Sequence, residues 1–329
     1  MGRLKPNINA NKTREERIME QFLNLIDTVL TKGKKRTTSV QGPGTIVYPG
    51  YEMRFRMDDS FPLITTRSLK GSWKAVRAEL LWLLSGSDDI ADLHKDGVHL
   101  WDPWATPKIC ADYGLPPGRL GRIYGPQWIR WPKRENNLVD KIAEIVEGNG
   151  NDEDKINEIH SLLNRRPRGG ETIDQISKVI DEIKTNPDSK RMTVSAWNPE
   201  DIDKVFIAPC HVIFKFAVAE GGLYLNLWQR SADLLVGVPF NIAEYALLLL
   251  MVAQVVGLKP VEFVHHLSDV HIYFDQVEYA KMQLKREPKP LPEVKLNPEV
   301  TDIFSFQLGD FVLENYDPHP PIKGIPVAI

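Results

Sequence analysis

Cys210 is the first residue in the chain whose type and setting suggest chemistry. It is one of two cysteines and lies between Pro209 and His211, at the start of an alternating apolar run, IAPCHVIFKF. A cysteine thiolate is a strong nucleophile, and a nearby cation or helix N-terminus lowers the thiol pKa enough to form it. Buried cysteines more often serve as small hydrophobic residues. From this stretch alone both interpretations stay open.

A polar cluster follows Cys210 along the chain, between an apolar strand pattern and an apolar helix pattern. Its polar members are Gln229, Arg230, Ser231 and Asp233. Buried polar groups need hydrogen-bond partners, and a ligand could supply them. The competing interpretation is a capped helix N-terminus with a surface ion pair.

Cations in separate segments could bind a phosphate group. Arg36, Lys190, Arg191 and Arg230 lie in turn or strand patterns, and the planar guanidinium suits bidentate phosphate contacts. Taken singly, each is more typical of a solvated surface charge.

Three further positions stand out by residue type. Glu79 lies inside an apolar helix pattern, AELLWLLSG, and an interior carboxylate is rare unless it is paired or functional. Trp101 and Trp104 in LWDPWA suit either a core or a ring-stacking platform. On a strand, His271 and Tyr273 would face one side, because strand side chains alternate; if a helix has already begun at His271, that argument fails.

Composition sets the broad class. The chain has 329 residues, 42% of them hydrophobic, and a net charge of -3, so there is no electrostatic argument for binding nucleic acid or an anionic membrane. Neither a disulfide framework nor a zinc-ligand spacing is present, and we expect no metal. The first residues lack the apolar region of a secretory signal, and the run ALLLLMVAQVVGL is too short to span a bilayer. We expect a protein of the reducing cytoplasm.

The periodicity predicts an α+β protein. Helices are expected at 14–32, 72–86, 171–185, 241–257 and 271–284, and strands at 191–197, at 260–268 and as a pair at 210–229 joined by AEGG. A short strand is expected near TSVQGPGTIVYPG. The charged segment 133–170 predicts a helical surface insertion. The whole chain, 1–329, is expected to form one domain around a large twisted mixed sheet flanked by helices.

Together these stretches resemble the thymidylate synthase family and its pyrimidine-nucleotide hydroxymethylase relatives. They run in the family's order from about residue 14 to the end, except across 133–170. The matching stretches are FPLITT, ELLWLLSG, LWDPWA, YGPQW, NPDSKRMTVSAWN, APCHVIF, QRSADLLVGVPFNIAEYALL, DVHIY, REPKPLP and YDPHPPIKGIPVAI.

The resemblance implies covalent catalysis. Cys210 would add to C6 of the pyrimidine, and Arg230 would lower the thiol pKa and bind phosphate. Glu79 would move protons at the base, assisted by Tyr124 and Asn198. Asp233 is implied in both catalysis and folate binding.

It also implies how the nucleotide is held. Asn241 would bind the pyrimidine edge, since an amide offers both a donor and an acceptor. Gln229 belongs to the same site, and His271 and Tyr273 would hold the sugar. The implied phosphate ligands are Arg36, Lys190, Arg191, Arg230 and Ser231. In this family the pair matching Lys190 and Arg191 comes from the partner subunit, so a homodimer packed sheet to sheet is implied.

The second substrate implied is 5,10-methylenetetrahydrofolate. The tail Pro326–Ile329 would close over it and exclude water. Hydride from the folate gives a methyl group, whereas water gives a hydroxymethyl group. The implied folate contacts are Trp101, Trp104, Asp233, Val236, Gly237, Phe240, Val327 and Ala328.

Two departures keep the product open. Lys190 stands where the family has arginine, and lysine cannot make the bidentate contacts of a guanidinium. Glu244 stands where serine is more typical, on the same helix face as Asn241. The resemblance therefore predicts conversion of dUMP to dTMP, with 5-hydroxymethylation of dUMP or a cytidylate as the alternative. A catalytically silent nucleotide- or RNA-binding module is a third hypothesis. The set that counts against it is Cys210, Glu79, Arg230 and Asn241.

Overall fold

The computed structural model describes residues 14–37, 42–57, 60–133, 138–164 and 172–328. Within these ranges the α-helices are α1 (Arg14–Lys32), α2 (Trp73–Leu84), α3 (Ile90–His94), α4 (Pro107–Asp112), α5 (Gly125–Ile129), α6 (Leu138–Glu147), α7 (Asp152–Asn164), α8 (Gln175–Thr185), α9 (Gly237–Val256) and α10 (Val277–Leu284).

The strands in the same ranges are β1 (Lys34–Arg36), β2 (Thr45–Arg56), β3 (Trp131–Pro132), β4 (Thr172–Ile173), β5 (Thr193–Ser195), β6 (His211–Ala219), β7 (Gly222–Gln229), β8 (Ala232–Asp233), β9 (Lys259–Tyr273), β10 (Glu293–Leu296) and β11 (Phe311–Glu314). Short 3-10 turns, including one at Phe274–Gln276, connect some of these elements.

A mixed seven-stranded sheet forms the centre of the molecule, as predicted. Its strand order is β1-β2-β9-β7-β6-β5, with β8 also paired to β9. The pairs of β7 and β8 with β9 are parallel and the others are antiparallel. The β6–β7 hairpin turns through Glu220 and Gly221, both with positive φ. The backbone twist of such a two-residue turn matches the right-handed twist of the two strands that it joins.

One sheet face is covered by helices. Helix α1 packs on β2 through side chains at helical spacing, Met19, Phe22, Ile26 and Val29 among them. Helix α9 packs against β7, β8 and β9 and is apolar on nearly every side. By length and composition α9 could cross a bilayer, although the run inside it was predicted to be too short. In its most apolar 18-residue window 72% of the residues are buried in the protein.

Among the described residues, the other sheet face is open. Tyr224, Asn226 and Trp228 alternate with the buried leucines of β7 and point away from the core. Trp228 is 37% exposed and stacks on His266 of β9, with ring centroids 4.7 Å apart.

Most predicted elements are confirmed, but the helix predicted at 271–284 is wrong in its first half. Strand β9 continues to Tyr273, and α10 begins at Val277. The reason is long-range pairing: His271 pairs with Val47 of β2 and with Asp233 of β8, so backbone partners are available on both sides. His271 and Tyr273 therefore do lie on a strand.

Two smaller differences have local causes. Helix α8 begins at Gln175 rather than 171, because Asp174 caps it by accepting a hydrogen bond from the Ser177 amide. Strand β2 is 12 residues long rather than short, since β9 pairs along its length. Part of the TSVQGPG stretch lies outside the described residues.

The segment 133–170 forms the two predicted helices where it is described. Helix α6 ends at Glu147, and α7 starts after Asn151, whose side chain accepts from the Asp154 amide. Val146 and Ile156 are exposed on these helices. The assignment of the whole chain to one domain stays a prediction.

Candidate active site

A cavity of about 620 Å³ opens between α2, α9 and the ends of β6 and β7. Its volume is within the range of small-molecule sites. The predicted site residues that line it are Glu79, Trp101, Trp104, Tyr124, Cys210, Gln229, Arg230, Ser231, Asp233, Val236, Gly237, Phe240, Asn241, Val327 and Ala328.

Cys210 immediately precedes β6 and is held through its backbone. Its amide donates to the Tyr124 hydroxyl (2.8 Å), and its carbonyl accepts from the Arg230 amide (2.8 Å). The β6–β7 register shifts between His211 and Ile213. Such an irregularity re-aims side chains at a strand end, here next to the sulfur.

Arg230 lowers the thiol pKa, as expected, but burial outweighs this effect. Burial raises the pKa of Cys210 above its usual value, and this effect exceeds the opposing effect of the Arg230 charge and of hydrogen bonds from Tyr124 and Ser231. The guanidinium itself donates to the carbonyls of Pro209 (3.0 Å) and Ala208 (2.7 Å). In the ligand-free protein the cysteine is therefore a thiol.

Tyr124 is held in a strained backbone conformation. Its φ is +34°, in a region that non-glycine residues rarely adopt. The next residue must be glycine, since a Cβ on Gly125 would lie 2.5 Å from the carbonyl oxygen of Leu83 in α2. Burial raises the pKa of Tyr124 well above its usual range, so the hydroxyl stays protonated.

Glu79 is the buried carboxyl of the site. Its Oε1 accepts a hydrogen bond from Nε1 of Trp101 (2.8 Å). Burial raises its pKa to about 7, against the effects of hydrogen bonds from Trp101 and Glu244. A carboxyl that titrates near neutrality can both give and take a proton at physiological pH.

A hydrogen-bonded chain fixes the amide of Asn241. Nε2 of Gln229 donates to Oδ1 of Asn241 (3.0 Å) and to the Ser231 carbonyl (2.9 Å). Oε1 of Gln229 must then be the acceptor, so Nε2 of His265 donates to it (2.8 Å). The orientation of the Asn241 amide follows from that of its neighbours.

His211 lies under the cavity as a neutral ring. Burial lowers its pKa to about 4, while a hydrogen bond with Asn241 opposes that shift. The ring packs against Tyr124 and Tyr245, with centroids 5.3 and 5.1 Å away.

Asp233 joins the start of α9 to the C-terminal segment. Its Oδ1 accepts from the amides of Leu235 and Val236 (3.1 Å each). Nε2 of Gln276 donates both to Oδ2 of Asp233 (3.1 Å) and to the Pro326 carbonyl (2.9 Å). Burial raises the pKa of Asp233 despite these donors.

The remaining predicted residues lie outside the cavity lining. Arg36 and His271 both bind Asp269, at 2.8 and 3.0 Å, and the Tyr273 ring packs on His271. The others are Asn198, which is buried and donates to Asp201 (3.0 Å), and Lys190 and Arg191, which are exposed. Ile329 lies outside the described residues.

Two further features of the described chain could bind a ligand or a metal ion. Nε1 of Trp104 is buried without a partner beside the cavity. His94, His99 and Asp102 have ligand atoms within 4.8 Å of one another and could hold a cation. Both imidazoles already bind the Asp102 carboxylate, at 2.7 and 2.9 Å, which braces the loop that carries Trp101.

The sequence interpretation missed three of the residues that organise this site. His211 follows Cys210 directly, but a lone histidine carries little signal. His265 and Gln276 act through partners distant in sequence, which no local pattern reveals. Glu244, noted only as a departure, lines the cavity.

A thiol, a carboxyl with a pKa of about 7 and an amide of fixed orientation line one cavity, and such a set of groups is typical of an enzyme active site. The family model described as thymidylate synthase matches residues 20–329. The chain therefore belongs to the thymidylate synthase family. It is a one-carbon transferase of nucleotide biosynthesis that methylates or hydroxymethylates its pyrimidine nucleotide, with methylenetetrahydrofolate as co-substrate.

Proposed function

We propose that the chain is a thymidylate synthase, which converts dUMP to dTMP with 5,10-methylenetetrahydrofolate. The observation that carries this proposal is the convergence of Cys210, Glu79 and Asn241 on one cavity, with Val327 and Ala328 at its lining. In this proposal Cys210 is the nucleophile, Glu79 transfers protons and Asn241 binds the pyrimidine edge. Val327 and Ala328 belong to the segment that covers the cavity.

The reaction begins with addition of the Cys210 thiolate to C6 of the pyrimidine. The carbon–sulfur bond forms while the C5=C6 electron pair moves towards O4, so C5 becomes nucleophilic. Once C5 has bonded to the one-carbon unit, C5 loses its proton to a base of the site and the bond from that unit to the folate nitrogen breaks. Hydride or water then adds to the unit, and expulsion of the thiolate from C6 restores the C5=C6 double bond. Because burial keeps Cys210 protonated in the free protein, the thiol must give up its proton before it adds to C6, and the Arg230 charge favours that ionisation.

The amide of Asn241 is suited to uracil. Oδ1, which already accepts from Gln229 Nε2, is the acceptor that N3–H requires, while the amide nitrogen can donate to O4. Glu79, with a pKa of about 7, exchanges protons with the base at neutral pH.

The phosphate site supports a dimer. Arg230 and Ser231 reach the cavity from their own chain, whereas Lys190 and Arg191 are exposed and away from its lining. A second copy docked on the open sheet face would cover Trp228 and bring its own cations to the phosphate. The site is then shared between subunits.

The cavity suits the folate. Trp101 and Phe240 offer rings, and the unpartnered Nε1 of Trp104 offers a buried donor. When bound, the folate supplies the one-carbon unit and the hydride that completes the methyl group. Val327 and Ala328 cover the cavity and exclude water.

A 5-hydroxymethylase is the second candidate, favoured by Glu244. This carboxyl lines the cavity one helical turn after Asn241, and a carboxyl suits the amino edge of cytosine.

For the cellular location we propose the cytoplasm, since both cysteines are free thiols.

The experiment offers dUMP, dCMP and CMP separately with methylenetetrahydrofolate. We expect dTMP and dihydrofolate from dUMP alone. A hydroxymethylated nucleotide with tetrahydrofolate would establish the second candidate instead. Cys210→Ala is the control, because turnover without the thiol would contradict covalent catalysis in either form.

A further inference from the structure

Two carboxyl groups meet at the floor of the cavity. Glu244, on α9, is 2% exposed, and Glu79, on α2, is 9% exposed. They lie within hydrogen-bonding contact of each other, and both line the cavity. Their contact joins the helix that carries Asn241 to the helix that carries the proton-transfer carboxyl.

No cation compensates the pair among the groups that act on it in the described structure. Trp101 donates to Glu79, and Asn241 lies in hydrogen-bond contact with Glu244. Tyr124 and Tyr245 face the pair with pKa values raised well above their usual range, so both stay neutral. The other titratable groups nearby are His211, which is neutral, and Cys210 with Arg230 across the cavity.

Two buried carboxylates in contact cannot both ionise at neutral pH, because neither solvent nor a cation offsets their repulsion. Burial and the Glu79 charge raise the pKa of Glu244 well above its usual range, whereas that of Glu79 rises to about 7. Glu244 is therefore the member that keeps the proton, and Glu79 is the member that loses one first.

A second observation concerns Oε1 of Glu244. It is buried and has no hydrogen-bond partner in the described residues. Because no described donor stabilises a charge on this oxygen, its setting favours the protonated form of Glu244.

We propose that Glu244 is a positioning residue, which shares one proton with Glu79, donates it as a hydrogen bond and holds the Glu79 carboxyl in place for proton exchange with the bound pyrimidine. The role of this proton exchange in catalysis rests on the proposed function. The shared proton itself rests on the contact between α2 and α9.

The first test measures the shared proton without turnover. Infrared difference spectra should show the C=O band of a protonated carboxylic acid above neutral pH in the wild-type protein. Glu244→Gln should lose the band, and Glu278→Gln, a 78% exposed side chain paired with Lys281, should keep it. Absence of the band from the wild type would overturn the proposal even if the enzyme were fully active.

The second test measures kcat/KM against pH with the nucleotide that the enzyme accepts. Glu244→Gln keeps a donor for Glu79 and should keep the wild-type pH midpoint. Glu244→Leu removes the donor, so the Glu79 pKa should rise by about one unit, which lowers the ionised fraction about tenfold below the midpoint. Identical pH profiles for the wild type and Glu244→Leu would overturn the proposal.

The two tests separate the two claims. If none of the nucleotides is converted but the band behaves as expected, the proposed function fails and the shared proton stands. If Glu244→Leu does not fold, Glu244→Gln and the band still decide the question.

Discussion

The side-chain amide of Gln276 donates to Oδ2 of Asp233 across 3.1 Å, and the same nitrogen donates to the Pro326 carbonyl across 2.9 Å. Its Oε1 accepts from the Tyr273 amide, so both N–H groups and the oxygen of this fully buried side chain have partners. One amide thus connects the C-terminal segment to the carboxylate at the start of α9. The position of the covering segment depends on this connection.

Gln276→Leu should loosen that segment while leaving the thiol in place. A lost buried hydrogen bond costs about 1–3 kcal/mol, so we expect kcat to fall by about tenfold and carboxypeptidase to release the last residues faster. Gln283→Leu is the matched control, because Gln283 is equally buried but bonds Thr66 away from the cavity. Equal effects in both variants would mean that only general stability was lost.

Trp101→Phe should shift the pH dependence of turnover to higher pH. The indole N–H stabilises the ionised form of Glu79, so its removal raises a pKa that already lies at about 7. The measurement is kcat/KM against pH. Trp104→Phe removes an N–H that has no partner in the described structure, and a midpoint that moves equally there would contradict a direct effect on Glu79.

Alkylation of Cys210 in the free protein should require alkaline pH. Burial raises the thiol pKa above its ordinary value of 9.0, and Arg230 opposes that shift. The rate of iodoacetamide labelling against pH, in a Cys110→Ala background, reports the midpoint. Arg230→Gln should raise it further, and a midpoint below 9.0 in the parent protein would refute this account.

Acid should destabilise the protein through His211. The pKa of its neutral ring in the folded protein is about 4, against 6.5 for the unfolded chain. The stabilisation is complete above pH 6.5 and is lost as the pH falls towards 4, because only the unfolded chain gains the proton. Relative to His211→Gln, the wild type should lose about 3 kcal/mol over that interval.

Urea unfolding at several pH values measures this difference, and the comparison between variants removes the opposite contribution of Glu79. His160→Gln, on the exposed surface of α7, controls for the removal of a histidine. A difference that does not change with pH would exclude a buried neutral ring at position 211.

The open sheet face should form the subunit contact. Trp228→Asp places a charge on that face, and we expect sedimentation to show monomers with little activity. Phe304→Asp alters a residue of similar exposure away from the sheet, at 44%, and should stay dimeric. A wild-type protein that sediments as an active monomer would contradict the shared site.

The sequence by itself determined the elements whose pattern is local. The spacing of Phe22, Ile26 and Val29 specifies α1, and the turn at Glu220 and Gly221 specifies the β6–β7 hairpin. Both follow from backbone geometry within a few residues. The residue types of the cavity could also be identified in advance, because Cys210, Glu79 and Asn241 stand out from their neighbours.

Only the tertiary structure decided how those residues behave. It extended β9 to Tyr273 through pairing with β2, and it brought Glu244 to Glu79 and Gln276 to Asp233 from distant segments. It also set the net direction of the Cys210 pKa shift in the free protein, because burial outweighs the lowering by Arg230. The physical reason is that burial and charge contacts are set by packing between elements, whereas periodicity and turn chemistry are set within them.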